Sequence, residues 1–419
     1  MHSNIFIFLT QALLIVVLPP LVANCLRLRA VVPLVVVQIV FGVLLGPSGF
    51  GKLAPETYSA FFPPGSFEFL SHVSSLALFF FAILTGMHLD AGALEGHGGK
   101  LGLISAASML VPLSLGAGAG FAVGALYPQA LAAQSSVPEF AAGVGMCCGV
   151  TALPVLAAML RELELTQRRL GQLALALAAG NDGMLWILLA AFLSVIRVEG
   201  ANGGGLLATS AYIAAYFVIL FLVLRPALAA WAGKAKISDN AKIIATCGVA
   251  IVSAAATEHL GLHFLLGAFI AGAIVPAAWR EALLEQMHPI TVNILIPFFF
   301  ISTGLRVLID VDAPGFLGML AIITSCAVIG KVFGTAVAAR LTGETWDFSL
   351  KLGALAQAKG LMELVVATIL LDAHVISRTV FSCLILMALI STALTLPLMC
   401  FFSCRGALQA LRAQALPDR

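Results

Sequence analysis

Runs of about 20 apolar residues recur from one end of the chain to the other, separated by short polar or Gly/Pro breaks. Each is long enough to cross the roughly 30 Å hydrocarbon core of a bilayer as a helix. About 13 such spans are predicted, with approximate limits 5–26, 30–46, 68–88, 101–127, 139–160, 170–196, 205–231, 241–257, 262–278, 289–308, 315–339, 352–371 and 379–404. Gly46-Pro47-Ser48-Gly49 closes the second, and the Pro-rich stretch on to Phe67 is expected to be the longest loop. Nothing between the windows is long enough to fold separately, so the pattern predicts an all-α polytopic membrane protein without a soluble regulatory domain. Two windows carry helix-breaking residues at similar depth: Gly149 to Pro154 in the fifth, and Gln357-Ala358-Lys359-Gly360 in the twelfth. Pro154 removes a backbone donor and is expected to free carbonyls near Gly149 and Val150, and Gly360 weakens a helix locally.

Composition agrees with that reading. Of 419 residues 61% are hydrophobic and only 10% charged, whereas soluble domains carry about a quarter charged residues. A formal charge of +2 is too small to suggest a nucleic-acid partner. The 8 cysteines include no Cys-x-x-Cys pair, which indicates neither disulfides nor a zinc site. No basic segment precedes the first apolar run, so it reads as a retained span rather than a cleaved signal.

Charge placement then sets the topology. With the odd-numbered loops and the C-terminal tail on one side, that side holds 16 basic residues, among them Arg27, Arg29, Lys234, Lys236, Arg405 and Arg419. The other side holds 4, namely Lys52, Arg197, Arg306 and Arg378. Basic residues are retained on the cytoplasmic face. The N-terminus is therefore expected outside and the C-terminus in the cytoplasm, which requires an odd number of spans.

The remaining lysines, Lys331 and Lys359, fall inside apolar spans together with Asp182 and Glu363. Asp182 lies 13 residues after Arg169 and 15 before Arg197, near the bilayer midplane. A carboxylate there costs roughly 2.5 to 3.5 kcal/mol and persists where it faces a bundle interior, a water-filled cavity or an ion path. Two cations and two carboxylates can neutralise one another across a shared interior, so their spans are expected to be neighbours. Plainer roles stand beside functional ones. Asp182 could be a structural ion-pair member and Lys331 a snorkelling lysine; Lys359 and Glu363, at i and i+4, could simply pair within a helix. Thr151 could bond back within its helix, and Asn181 could glue helices. Cys147 and Cys148 point in different directions, and the glycines from Gly116 to Gly124 suit close helix packing better than phosphate binding. Paired interrupted spans in corresponding positions of two halves are the signature of inverted-repeat transporters, with spans 4 to 6 answering spans 11 to 13.

Five ordered stretches carry a specific resemblance: Thr151 to Leu156, Asn181-Asp182, Leu265 to Pro276, Gly330 to Gly334 and Lys359 to Leu364. Together they resemble the monovalent cation:proton antiporter-2 family, particularly its plant-type cation/proton exchangers. Gln38 to Pro47 also resembles that family's second-span motif, which commonly begins with Glu. The resemblance implies an inverted repeat with two crossing broken helices, the sodium/proton antiporter fold. It also implies a homodimer in which core helices, approximately 68–196 and 315–404, move against scaffold helices, approximately 5–46 and 205–308. Carried over by residue, Asp182 is the cation and proton carrier, Asn181 its polar neighbour and Thr151 a further oxygen ligand. Freed carbonyls of the fifth span join them as ligands. Lys331, Lys359 and Glu363 compensate charge in the core, and Gly149, Pro154 and Gly360 break the helices. Similar sodium antiporters that exchange unequal charge carry Asp-Asp where this chain has Asn181-Asp182. One ionisable carboxylate implies one proton per monovalent cation and electroneutral exchange, although Lys331, which pairs with the missing acid in those relatives, is retained.

The expected function is thus antiport of Na+ or K+ against H+ in a bacterial inner membrane, in contact with lipid. No cofactor is expected, and no metal beyond the transported cation. The rival readings are a cation- or proton-coupled symporter of an organic solute on the same scaffold and an ion channel. An enzyme is not expected, because no Ser/His, paired-Asp or His-Glu-x-x-His constellation lies within the spans.

Overall fold

The structure, a computed structural model, describes residues 2–25, 34–88, 98–132, 135–166, 168–200, 206–233, 237–260, 262–309 and 313–414. The first part of the chain folds into α1 (His2–Val16), α2 (Leu18–Cys25), α3 (Leu34–Leu45), α4 (Phe50–Leu53), α5 (Pro55–Phe61), α6 (Pro64–Met87) and α7 (Gly98–Leu126). There follow α8 (Val137–Gly149), α9 (Leu153–Glu162), α10 (Arg169–Gly200), α11 (Leu206–Val218), α12 (Arg225–Ala232), α13 (Asp239–His259) and α14 (Phe264–Ala273). The last part supplies α15 (Ala277–Ile290), α16 (Ile296–Arg306), α17 (Phe316–Leu341), α18 (Trp346–Leu355), α19 (Leu361–Asp372) and α20 (Arg378–Gln414). Among the described residues the one β-type pairing is an isolated bridge between Leu131 and Ile376.

Ten of the expected windows are helices long and apolar enough to cross a membrane, which makes the chain an integral membrane protein. The other three windows are the short α14 and the two interrupted ones, α8/α9 and α18/α19. At about 1.5 Å per residue neither half of an interrupted window spans a bilayer alone. Two stretches differ from expectation. The segment 47–67 is not a plain loop but holds α4, α5 and the start of α6; Pro55 opens α5 and Pro64 opens α6, where a missing N–H has no partner to lose. The tenth window begins at Ala277 rather than 289, since Arg280, Glu281 and Glu285 hide a helical segment from an apolar count. Two helices also widen into π turns, Ile219–Leu224 before Pro226 and Thr291–Leu295 before Pro297. Each proline lacks the N–H that would bond the carbonyl four residues back, and the widened turn accommodates the mismatch. Arg27, Arg29, Lys234, Lys236 and Arg419 of the topology argument lie outside the described residues.

The chain divides into two compact units, one of residues 1–18, 56–91 and 186–302, the other of 19–55, 92–185 and 303–419. In the first, α6 and α14 cross at reciprocal glycines: a Cβ on Gly86 would fall on the Phe269 carbonyl, and one on Gly272 on the Ile83 carbonyl. Gly86→Ala is therefore expected to destabilise by about 1 to 3 kcal/mol through overpacking. The detergent-solubilised protein should melt lower, while Gly102→Ala, which meets nothing within 4 Å, should not. An unchanged Gly86→Ala melt would refute this close crossing.

The second unit carries the candidate site. There α7 and α8 approach through small residues, as the spacing of Gly116 and Gly120 suggests: their Cβ atoms would lie 2.6 Å from Cys148 Cβ and 2.6 Å from Ala141 Cα. Behind the two interruptions sits a buried apolar cluster that includes Ile104, Val155, Leu156, Leu177, Ala338 and Leu352.

Candidate functional site

The site is built where α8/α9 and α18/α19 lose their helical form. Residues Val150 to Ala152 and Ala356 to Gly360 are not helical, so their backbone groups need partners in an interior without water. They find them in each other. The Ala152 N–H donates to the Ala358 carbonyl at 2.8 Å, and the Thr151 hydroxyl donates to the Ala356 carbonyl at 3.1 Å. Thr151 thus bonds across the crossing rather than within its own helix. Gly360 has φ 166°, extended backbone open to any residue, but its Cβ would lie 2.6 Å from Val155 Cγ2. Close approach is what asks for glycine there. Gly149 ends α8, and its Cβ would sit 3.0 Å from the Met109 carbonyl. Pro154 is the second residue of α9. It opens the second half rather than ending the first, which corrects the expectation that Pro154 itself frees the α8 carbonyls; they are free because the helix stops.

Those terminal carbonyls meet both buried lysines. Lys359 Nζ donates to Cys147 O at 2.8 Å and Cys148 O at 3.0 Å, and Lys331 Nζ donates to Gly149 O and, at 2.8 Å, to Ser108 O. Cations are favoured at a helix C-terminus, where the carbonyl dipoles converge. Of the carbonyls near Gly149 and Val150 expected to be free for the transported ion, that of Gly149 accepts from Lys331 in this structure. Glu363 occupies the first turn of α19, the favoured end for an anion. Its Oε2 lies 3.4 Å from Lys359 Nζ with both side chains fully buried. The geometry is that of an ion pair rather than a hydrogen bond, since neither Glu363 oxygen has a hydrogen-bond partner among the described residues.

Asn181 and Asp182 lie midway along α10, each 1% exposed. Gly180 lets α10 come close to α7, for its Cβ would be 3.0 Å from Ser105 Oγ. The Asn181 amide satisfies both ends with Nδ2 donating to Ser105 O at 2.9 Å and Oδ1 accepting from Ser108 Oγ at 3.2 Å and Lys331 Nζ at 3.1 Å. Thr151 Oγ1 lies 3.1 Å from the same Oδ1. Asp182 is different: both carboxylate oxygens are buried without a hydrogen-bond partner among the described residues. Lys331 is the charged group that acts on it. An unpartnered buried carboxylate is a hard oxygen donor suited to a monovalent cation, and equally to a proton.

The sequence-predicted residues Asp182, Asn181, Thr151, Lys331, Lys359, Glu363, Gly149 and Gly360 all meet in this one unit, around the crossing. Sequence reasoning passed over Ser105, Ser108, Ser391 and Thr392. Ser391 Oγ donates to Gln357 Oε1 at 2.6 Å, and Gln357 Nε2 donates to Val328 O at 2.6 Å. Thr392 Oγ1 accepts from the Lys359 N–H at 3.0 Å and is 2.8 Å from the Lys359 carbonyl, to which it donates. The signal was available, since Ser105 and Ser108 share one face of an apolar helix at i and i+3. Among the described residues no cluster of three or more His, Cys, Asp or Glu could hold a metal ion. The paired thiols of Cys147 and Cys148 are free and buried, and it is their carbonyls that bond Lys359.

Interrupted, crossing helices around an unpartnered midspan carboxylate define a class of ion-coupled membrane carriers. The chain belongs to the transmembrane sodium/hydrogen exchanger family, whose match covers residues 12–401. It is similar to Cation/H(+) antiporter 17 of Arabidopsis thaliana, 31% identical over 401 residues that make up 94% of this chain and 48% of that protein. The chain thus spans about half the length of that plant relative. It is also similar to the Na(+)/H(+) antiporter NhaS4 of Synechocystis sp., 30% identical over 95% of this chain and 98% of that one. The solved sodium proton antiporter MjNhaP1 of Methanocaldococcus jannaschii matches in fold, with a TM-score of 0.62 at 16% identity over 96% of this chain and 98% of that chain.

Proposed function

We propose that this protein is a secondary antiporter that exchanges Na+ or K+ for H+ by alternating access, with Asp182 as the group that holds cation and proton in turn. One observation carries the reading: among the described residues, Asp182 alone of the four buried charged groups has neither a hydrogen bond nor an ion pair, while the lysines bond carbonyls and Glu363 pairs with Lys359. Cation and proton compete for one carboxylate, and exchange follows if the protein switches sides only when the site is filled. Asn181 and Thr151, which lie together at the crossing, are its proposed neutral oxygen partners. The helices that hold the site, α7 to α10 and α17 to α20, act as the moving core, and the protein works as a homodimer in a bacterial inner membrane. The helix at 68–88, expected in that core from the sequence, is left out of it because it clusters with the other compact unit. Sixteen basic residues against 4 support an outside N-terminus and a cytoplasmic C-terminus.

The test is a pH-gradient dequenching assay in proteoliposomes with each alkali cation in turn. Saturable, cation-dependent proton counterflow supports antiport; conduction without saturation or obligate counterflow would make it a channel, and ion-driven uptake of an organic solute a symporter. With Asn181 neutral, exchange is expected to be electroneutral. A transport current that follows an imposed voltage, with no counter-ion leak, would overturn that stoichiometry.

A further inference from the structure

The structure explains why Lys331 is bonded elsewhere although Asp182 lies within its electrostatic reach. Helix α7 carries Pro112 in its interior. Proline has no N–H, so the carbonyl four residues back loses its helical partner, and that carbonyl belongs to Ser108. Lys331 Nζ donates to it at 2.8 Å. The other two ammonium protons go to Gly149 O and Asn181 Oδ1, so all three are engaged without Asp182. Pro112 also seats the backbone beside the lysine: a Cβ on Gly330 would lie 2.8 Å from Pro112 Cα and 3.1 Å from Pro112 Cβ.

We infer that Pro112 is a positioning residue for ion exchange: by freeing the Ser108 carbonyl it holds the Lys331 ammonium on backbone and amide oxygens and leaves both Asp182 oxygens to the transported ion. The inference rests on Asp182 as the ion-binding group. A residue with an N–H at position 112 restores the helical bond to Ser108. The Ser108 carbonyl is then shared between that N–H and Lys331, which loosens its hold on the ammonium and lets it lean toward the Asp182 carboxylate, in competition with the cation.

The experiment measures initial exchange rates against Na+ and K+ concentration in proteoliposomes at alkaline pH, where protons compete least. Pro112→Ala is expected to raise the KM for the cation about fivefold, the equivalent of one net hydrogen bond, with Vmax little changed. The decisive comparison is the same substitution in a Lys331→Met background, where it should leave KM as Lys331→Met alone sets it. Cation-induced thermal stabilisation of the purified proteins reports the same affinities without requiring transport. Gly330→Ala, which lifts α17 off Pro112 without altering α7, should raise KM in the same lysine-dependent way and stands in if Pro112→Ala does not fold. An unchanged KM, or a rise of equal size without the lysine, overturns the inference, the second because it would reflect a straightened helix alone. If Asp182→Asn retains both exchange and cation-induced stabilisation, the site reading itself has failed; if it loses both while Pro112→Ala keeps the parental KM, only the role of Pro112 has.

Discussion

Asp182→Asn is expected to reduce cation-driven proton movement to the level of empty liposomes while leaving the protein folded. The amide has nearly the volume of the carboxylate, but it carries no charge at any working pH and takes up no proton. A carrier that must hold a cation or a proton before it switches sides then has neither cargo. In the parent the two ions compete for the same oxygens, so the apparent KM for the cation should rise as pH falls, with Vmax restored at high cation concentration. Asp182→Glu keeps the charge but moves it by one methylene within a site closed on all sides, and should retain a trace of exchange. Parental rates in the asparagine variant, with a monodisperse profile and unchanged melting temperature, would remove Asp182 from the mechanism.

The second large effect is on stability. Lys359 joins three things in a fully buried space: the carbonyls of Cys147 and Cys148 and the Glu363 carboxylate. Lys359→Met leaves those carbonyls without a donor and Glu363 as an uncompensated buried charge. Loss of one member of a buried ion pair costs about 3 to 5 kcal/mol. The variant should melt well below the parent in detergent and be recovered at lower yield. Lys359→Met combined with Glu363→Leu should recover part of the loss, because the stranded anion goes while the two carbonyls stay unpaired. Glu363→Gln alone should be milder, since Lys359 keeps both carbonyls. A Lys359→Met protein that melts with the parent would mean that water or a rearranged α8 terminus satisfies these groups. A double variant no better than the single one would mean that Glu363 is not the stranded partner.

The parts of the site legible in the sequence are those in which one polar residue interrupts an apolar window. Asp182, Lys331, Lys359 and Glu363 stand out because each is costly at membrane depth, whatever surrounds it. The interruptions were legible for the same reason: glycine and proline break a helix through their own backbone chemistry. Position relative to a break was harder to read. Pro154 looks like the residue that ends α8, yet it opens α9, because a proline near a break is compatible with either side of it. Pro112 carries no signal in the sequence, since one proline in an apolar span has no visible consequence until a donor is found on the Ser108 carbonyl it orphans.

By itself, then, the sequence determined that the chain is helical and membrane-embedded, and where its windows are interrupted. It also determined which few charges need company, because hydropathy, helix breaking and the energetics of a buried charge are properties of single residues and their near neighbours. Tertiary structure decided which acceptors those charges take. Lys331 reaches carbonyls 223 and 182 residues away, Thr151 bonds one 205 residues away, and Asp182 is left over by the sum of these choices. A hydrogen bond depends on a few tenths of an ångström and on direction, and only the crossing of the two broken helices sets either.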